Sequence, residues 1–154
     1  GKKEKRWSSI SRKLEIYSLK EGDLLIGMDG SKVGKNWSVV KKNDLPALLG
    51  QRVCCIRAKE KINQQFLSYL FGTIKFRKYV EIVKTGTSIP HISKKQIEDF
   101  SIPLPTLYEQ KKIVKILSQI DLNIDSLSHE IRKLHNLKKA ISSDLISGRK
   151  RVNI

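Results

Sequence analysis

Cysteine is nearly absent: the chain has two, Cys54 and Cys55, and they are neighbours. Adjacent thiols make poor disulfide partners and match no metal-ligand spacing, so they suit a reducing compartment. No apolar run approaches the ~20 residues that a bilayer crossing needs, and the basic first residues are followed by no apolar signal-peptide core. A soluble, cytoplasmic protein without membrane contact is expected. Acidic residues are scarce, 15 against 31 Lys and Arg, which leaves a formal charge of +16 and a pI near 10.0. That excess goes far beyond solubility and points to a polyanionic partner. Apolar residues make up 39% of the 154; adding glycine brings about 45%, the lower edge of the globular range. This suffices for one ordinary domain, or a small domain plus an extended element, but not for two domains.

Proline and glycine are both missing from residue 106 to residue 147, whereas the chain before Pro103-Leu104-Pro105 is broken by turn residues. The proline pair is therefore the expected boundary between a domain over 1–105 and a helix over 106–148, followed by a basic tail, 149–154. Residues 1–105 hold 21 basic and 10 acidic residues, and the remainder 10 and 5. Nucleic acid should meet the first part first. In it Asp23 to Ile26, Trp37 to Val40 and Arg52 to Ala58 read as strands, being short, apolar or β-branched and bounded by Gly, Asp or Asn. Asn63 to Phe71 and Thr73 to Val83 read as helices separated at Gly72, and a short helix is expected after Ser93, where Ser93 and Gln96 have capping-box spacing. The expected fold is a small α/β (α+β) domain with a short-stranded sheet, followed by one long coiled-coil α-helix.

Thr106 and Glu109 repeat the capping-box spacing directly after a proline, so the long helix should begin there. From Ile113 the positions Leu117, Ile120, Ile124, Leu127, Ile131, Leu134, Lys138, Ile141 and Leu145 follow alternating steps of four and three. Such a seam argues for a coiled coil. It extends about 48 Å at ~1.5 Å per residue, too long and too narrow a stripe to serve a core of this size. Lys138, the one polar seam residue, either fixes register or lays its stem along the seam with its charge in water. Gly148 supplies the stop.

No catalytic pattern accompanies these elements. Asp99 with Glu109-Gln110-Lys111 imitates the spaced acid and E-x-K of metal-dependent nucleases, but metal work needs carboxylates on adjacent strands, whereas Glu109 belongs to a helix start. There is no Asn-Pro-Pro or Asp-Pro-Pro followed by an aromatic and no G-x-x-x-x-G-K; Gly27, Gly30 and Gly34 are spaced for a turn rather than for a dinucleotide. His91, His129 and His135 have no partner at ligand spacing. His91 suits a local or phosphate hydrogen bond better than a general base. No catalytic residue, metal or cofactor is expected.

Three segments carry instead the side chains that hold DNA: Gly30 to Asn36, Gln51-Arg52, and Lys84 to Ser88. Glycine lets backbone approach phosphates, Lys and Arg release counterions, and Asn, Gln and Arg can read base edges. The candidate DNA contacts are Lys32, Lys35, Asn36, Arg52, Lys84, Thr85 and Thr87.

Gly22-Asp23-Leu24-Leu25-Ile26, the turn ending at Gly34, Gly50-Gln51-Arg52, Gly86 to Ser93, and above all Ile102-Pro103-Leu104-Pro105-Thr106-Leu107-Tyr108-Glu109-Gln110-Lys111-Lys112-Ile113 with the following helix and Leu145-Ile146-Ser147-Gly148 resemble the specificity subunit of type I restriction-modification enzymes. The resemblance covers roughly Leu19 to Val152. It implies a target recognition domain that reads one half of a split double-stranded DNA target and has no chemistry of its own. It also implies modification (methyltransferase) subunits and a restriction subunit as partners, and long helices that pair antiparallel as a ruler. The full subunit has two such domains and two helices. A chain with one of each therefore implies a half-subunit or a fragment whose helix pairs with a second copy or a second half. The rival expectation is a helix-mediated assembly module with incidental affinity for DNA.

Overall fold

The computed structural model describes residues 11–86 and 88–152. They fall into two compact units, one ending at Lys111 and one beginning at Lys112. The first unit thus runs past the proline pair into the following helix, for a reason given below.

The first unit contains α1 (Arg12–Glu15), β1 (Leu24–Gly27), β2 (Trp37–Val39), a 3-10 turn (Lys42–Asp44), β3 (Val53–Ile56), α2 (Gln64–Phe71), α3 (Ile74–Val83) and α4 (Lys94–Glu98). The three strands form one antiparallel sheet in the order β2-β1-β3. Leu24 and Ile26 lie opposite Val39 and Trp37 on one side and Ile56 and Cys54 on the other. With strand period two, both turn to the core face, where they are fully buried. The expected strand over Arg52 to Ala58 is cut at both ends. Arg52 adopts a left-handed φ of 61°, and the Ala58 amide donates to Gln64 Oε1 at 2.6 Å instead of joining the ladder.

α2, α3 and α4 supply Leu67, Phe71, Phe76, Val80 and Ile97 to the core shared with the sheet. Phe76 sits edge-on to Phe71 and Phe100, with ring centroids 4.7 and 5.1 Å apart, a favoured aromatic geometry. Asn63 and Thr73 cap α2 and α3 through the amides of Phe66 and Phe76, at 2.9 and 3.3 Å. Gly72 separates the two helices; a Cβ there would lie 2.7 Å from the Trp37 ring, so only glycine lets β2 approach this corner so closely. The Ser93–Gln96 capping box forms as expected.

Asp23 is buried just before β1. Arg57 Nε and Nη2 both donate to its carboxylate at 2.7 Å, and the Lys20 amide donates at 2.8 Å. The Arg57 hydrogen bonds hold the Asp23 carboxyl below the ordinary Asp value against the opposing effect of burial, with help from the Lys20 amide. A depressed carboxyl stabilises the fold above its unfolded value, and that contribution disappears as pH falls through the folded value. Asp23→Asn should therefore lose about 1–3 kcal/mol near neutrality, with the gap from wild type closing below about pH 4. Urea unfolding followed by tryptophan fluorescence checks this; a gap that stays constant from neutral pH into acid would contradict it.

α5 (Leu107–Ile146) is a helix of 40 residues and about 60 Å. Thr106 Oγ1 accepts the Glu109 amide at 3.3 Å, one half of the expected box. The stronger tie is Gln110, which is fully buried. Its Oε1 accepts the Asn63 amide at 2.8 Å, and its Nε2 donates to the carbonyls of Lys61 and Pro105 at 3.1 and 2.8 Å. This is why the first turn of α5 belongs to the first unit. Beyond Lys111 the seam side chains Ile120, Ile124, Leu127, Ile131, Leu134, Ile141 and Leu145 are each 42–59% exposed. Gly148, at φ 72°, follows the last turn.

Candidate nucleic-acid interface

β1 ends at Gly27, opposite Val53 of β3, and three segments far apart in sequence meet beyond that end. The Met28 amide donates to the Arg52 carbonyl at 2.9 Å, the Gly30 amide to the Pro90 carbonyl at 3.0 Å, and the Ile92 amide to the Met28 carbonyl at 2.9 Å. Thr85 and His91 exchange backbone hydrogen bonds at 2.9 and 2.8 Å. One Asp29 carboxylate oxygen pairs with Arg52 Nη1 at 3.0 Å and the other with His91 Nδ1. The 28–36 loop, the 50–52 turn and the 84–91 loop are thus one stitched surface.

The structure brings together six of the seven expected contacts. Lys32, Lys35, Asn36, Arg52 and Thr85 are exposed and Lys84 is half-buried; Thr87 lies outside the described residues. Asn36 rests over Gly27, where a Cβ would come 2.5 Å from its Nδ2, so the glycine makes room for it. Gly34, at φ 76°, presses on Val80 of α3, 2.9 Å from where a Cβ would stand. That contact sets the 28–36 loop beside α3. Lys84 pairs with Glu81 at 2.5 Å. The Glu81 carboxyl is held below its ordinary value chiefly by Lys84, with Lys35 also contributing.

Sequence reasoning missed Asp29 and Glu81, the two carboxylates among these cations, and also the outer face of α3, where Lys75, Arg77 and Lys78 are exposed. The helical period of buried Phe76 and Val80 was the available signal for that face. Asp99 closes the C-terminus of α4 and Glu109 lies in the first turn of α5, so the nuclease-like pair has no strand to hold it. Among the described residues, no three of His, Cys, Asp and Glu are placed to hold a metal ion. Cys54 and Cys55 are free thiols whose titration is pushed up by burial. Among the described residues, no helix is long and apolar enough to cross a membrane.

Sheet, stitched loops and long helix define an α+β domain that ends in a single extended helix. The chain belongs to the type I restriction modification DNA specificity domain family, whose model matches residues 6–136. The match starts nearer the N-terminus than the Leu19 where the motif resemblance begins. The chain is 35% identical over 128 residues to the type I restriction enzyme MjaVIII specificity subunit of Methanocaldococcus jannaschii, covering 82% of this chain and 28% of that protein. It is 30% identical over 143 residues to the EcoBI specificity subunit of Escherichia coli, covering 88% and 28%. A solved chain described under complex assembly and conformational transition of the type I R-M system superposes with a TM-score of 0.58 at 25% identity, covering 82% of this chain and 31% of that one. The chain therefore spans under a third of the length of each.

Proposed function

We propose that this chain is a non-catalytic DNA-recognition part of a type I restriction-modification specificity subunit. Residues 1–105 read one half of a bipartite duplex target, and 106–148 pair antiparallel with a second copy or second half. Modification subunits and a restriction subunit are the further partners. The observation that carries this reading is the meeting of three separate basic segments beyond one end of the sheet, in a chain with a charge of +16. Its support for pairing is the row of exposed Ile and Leu along α5, a stripe that water disfavours and a like stripe would cover.

Lys32 and Lys35 are assigned to phosphate. Replacing either with Ala should weaken binding to every duplex alike and lower the slope of log affinity against log salt by about 0.9. Fluorescence anisotropy with a random-sequence duplex measures this, and an unchanged slope for both variants would refute the assignment.

A further inference from the structure

Arg52 is held in a way that phosphate binding does not require. Its backbone is the only non-glycine with positive φ among the described residues, at 61°, a conformation that persists where its surroundings enforce it. Its carbonyl accepts from Met28, which fixes it to the 28–36 loop. Its side chain is 70% exposed, yet Nη1 is tethered to Asp29 Oδ2 at 3.0 Å. The second Asp29 oxygen is taken by His91 Nδ1, and His91 is itself locked by two backbone hydrogen bonds to Thr85. Asp29 is only 26% exposed. Among the described residues, this ion pair is the one polar contact of the guanidinium.

A carboxylate beside a phosphate-gripping arginine weakens the grip, because it repels the same phosphate. What it supplies is orientation: a planar fork held from one side presents its other edge in a fixed direction. A fixed fork matches a pair of acceptors, and in the major groove such a pair is the O6 and N7 of guanine. We propose that Arg52 reads a guanine on its major-groove edge, with Asp29 and His91 as positioning residues that aim the guanidinium. This assignment rests on the DNA-recognition reading above and names the residue and the base within it.

The test uses the full chain and its variants Arg52→Lys and Asp29→Asn, each checked for an unchanged thermal melt. Binding is measured on a duplex library with randomised positions and, separately, on random duplex across a range of salt. Arg52→Lys keeps the charge and loses the fork. It should lower the preference for guanine at one position about tenfold or more while leaving the salt slope as it was. Asp29→Asn should blunt the preference at that same position while binding random duplex more tightly, since a negative charge has left the surface. Those opposed shifts are what a merely structural stitch would not produce. Retention of every guanine preference by Arg52→Lys, or weakening of all sequences equally, would overturn the inference and leave the DNA reading standing. A wild-type chain that binds no duplex at all would instead remove the reading on which it rests.

Discussion

Leu127→Lys is expected to turn a paired chain into a monomer. Leu127 and Ile131 flank the midpoint of a seam that runs from Ile113 to Leu145, so antiparallel copies would bring both Leu127 side chains into neighbouring central layers. Each copy would then lose a buried leucine, together at least about 4 kcal/mol, which is roughly a thousandfold in dissociation constant. The added ammonium groups would deepen the loss by sitting near each other in a dry seam. Sedimentation at a concentration where the wild type is fully paired should show half the mass. A variant that stays paired would mean that association uses another surface.

Gln110→Leu is expected to weaken the first unit more than any surface change. The side chain is buried and serves three backbone groups, the Asn63 amide and the Lys61 and Pro105 carbonyls. Leucine fills the space and leaves all three without that partner. At about 1–3 kcal/mol for a buried group deprived of its bond, a total near 3–5 kcal/mol is expected after partial relaxation. That is a large share of the ~5–15 kcal/mol that holds a domain of this size together. The midpoint of urea unfolding followed by tryptophan fluorescence should fall accordingly. An unchanged midpoint would show that water replaces Gln110 without cost.

These two residues mark where the sequence could be read and where it could not. The long helix and its exposed stripe of Ile and Leu were legible because a heptad repeat is a one-dimensional pattern. The strand cores, the helices starting near Asn63 and Thr73 and the cap at Ser93 were legible as local chemistry. Gln110 lies one residue after Glu109, and local spacing drew attention to the glutamate; the partners that define Gln110 are up to 49 residues away. α1, at four residues, is too short to carry a period. The basic loops were recognised singly, but their union depends on bonds such as Asp29 to His91, 62 residues apart, which only the sheet order provides. The carboxylates inside the basic face escaped for the same reason. A charge count sees Asp29 and Glu81 as a deficit, while the folded chain uses them to hold Arg52 and Lys84.

The rival reading, a helix-mediated assembly module with incidental affinity for DNA, shares the paired helix and parts company over base recognition. Selection of bound duplexes by the wild-type chain from a short-duplex library with randomised positions, repeated at rising salt, decides between them. The proposed function predicts enrichment of a defined base pattern, with two chains of 17.6 kDa on each selected duplex. A chain that sediments paired but enriches no sequence at any salt concentration would contradict it.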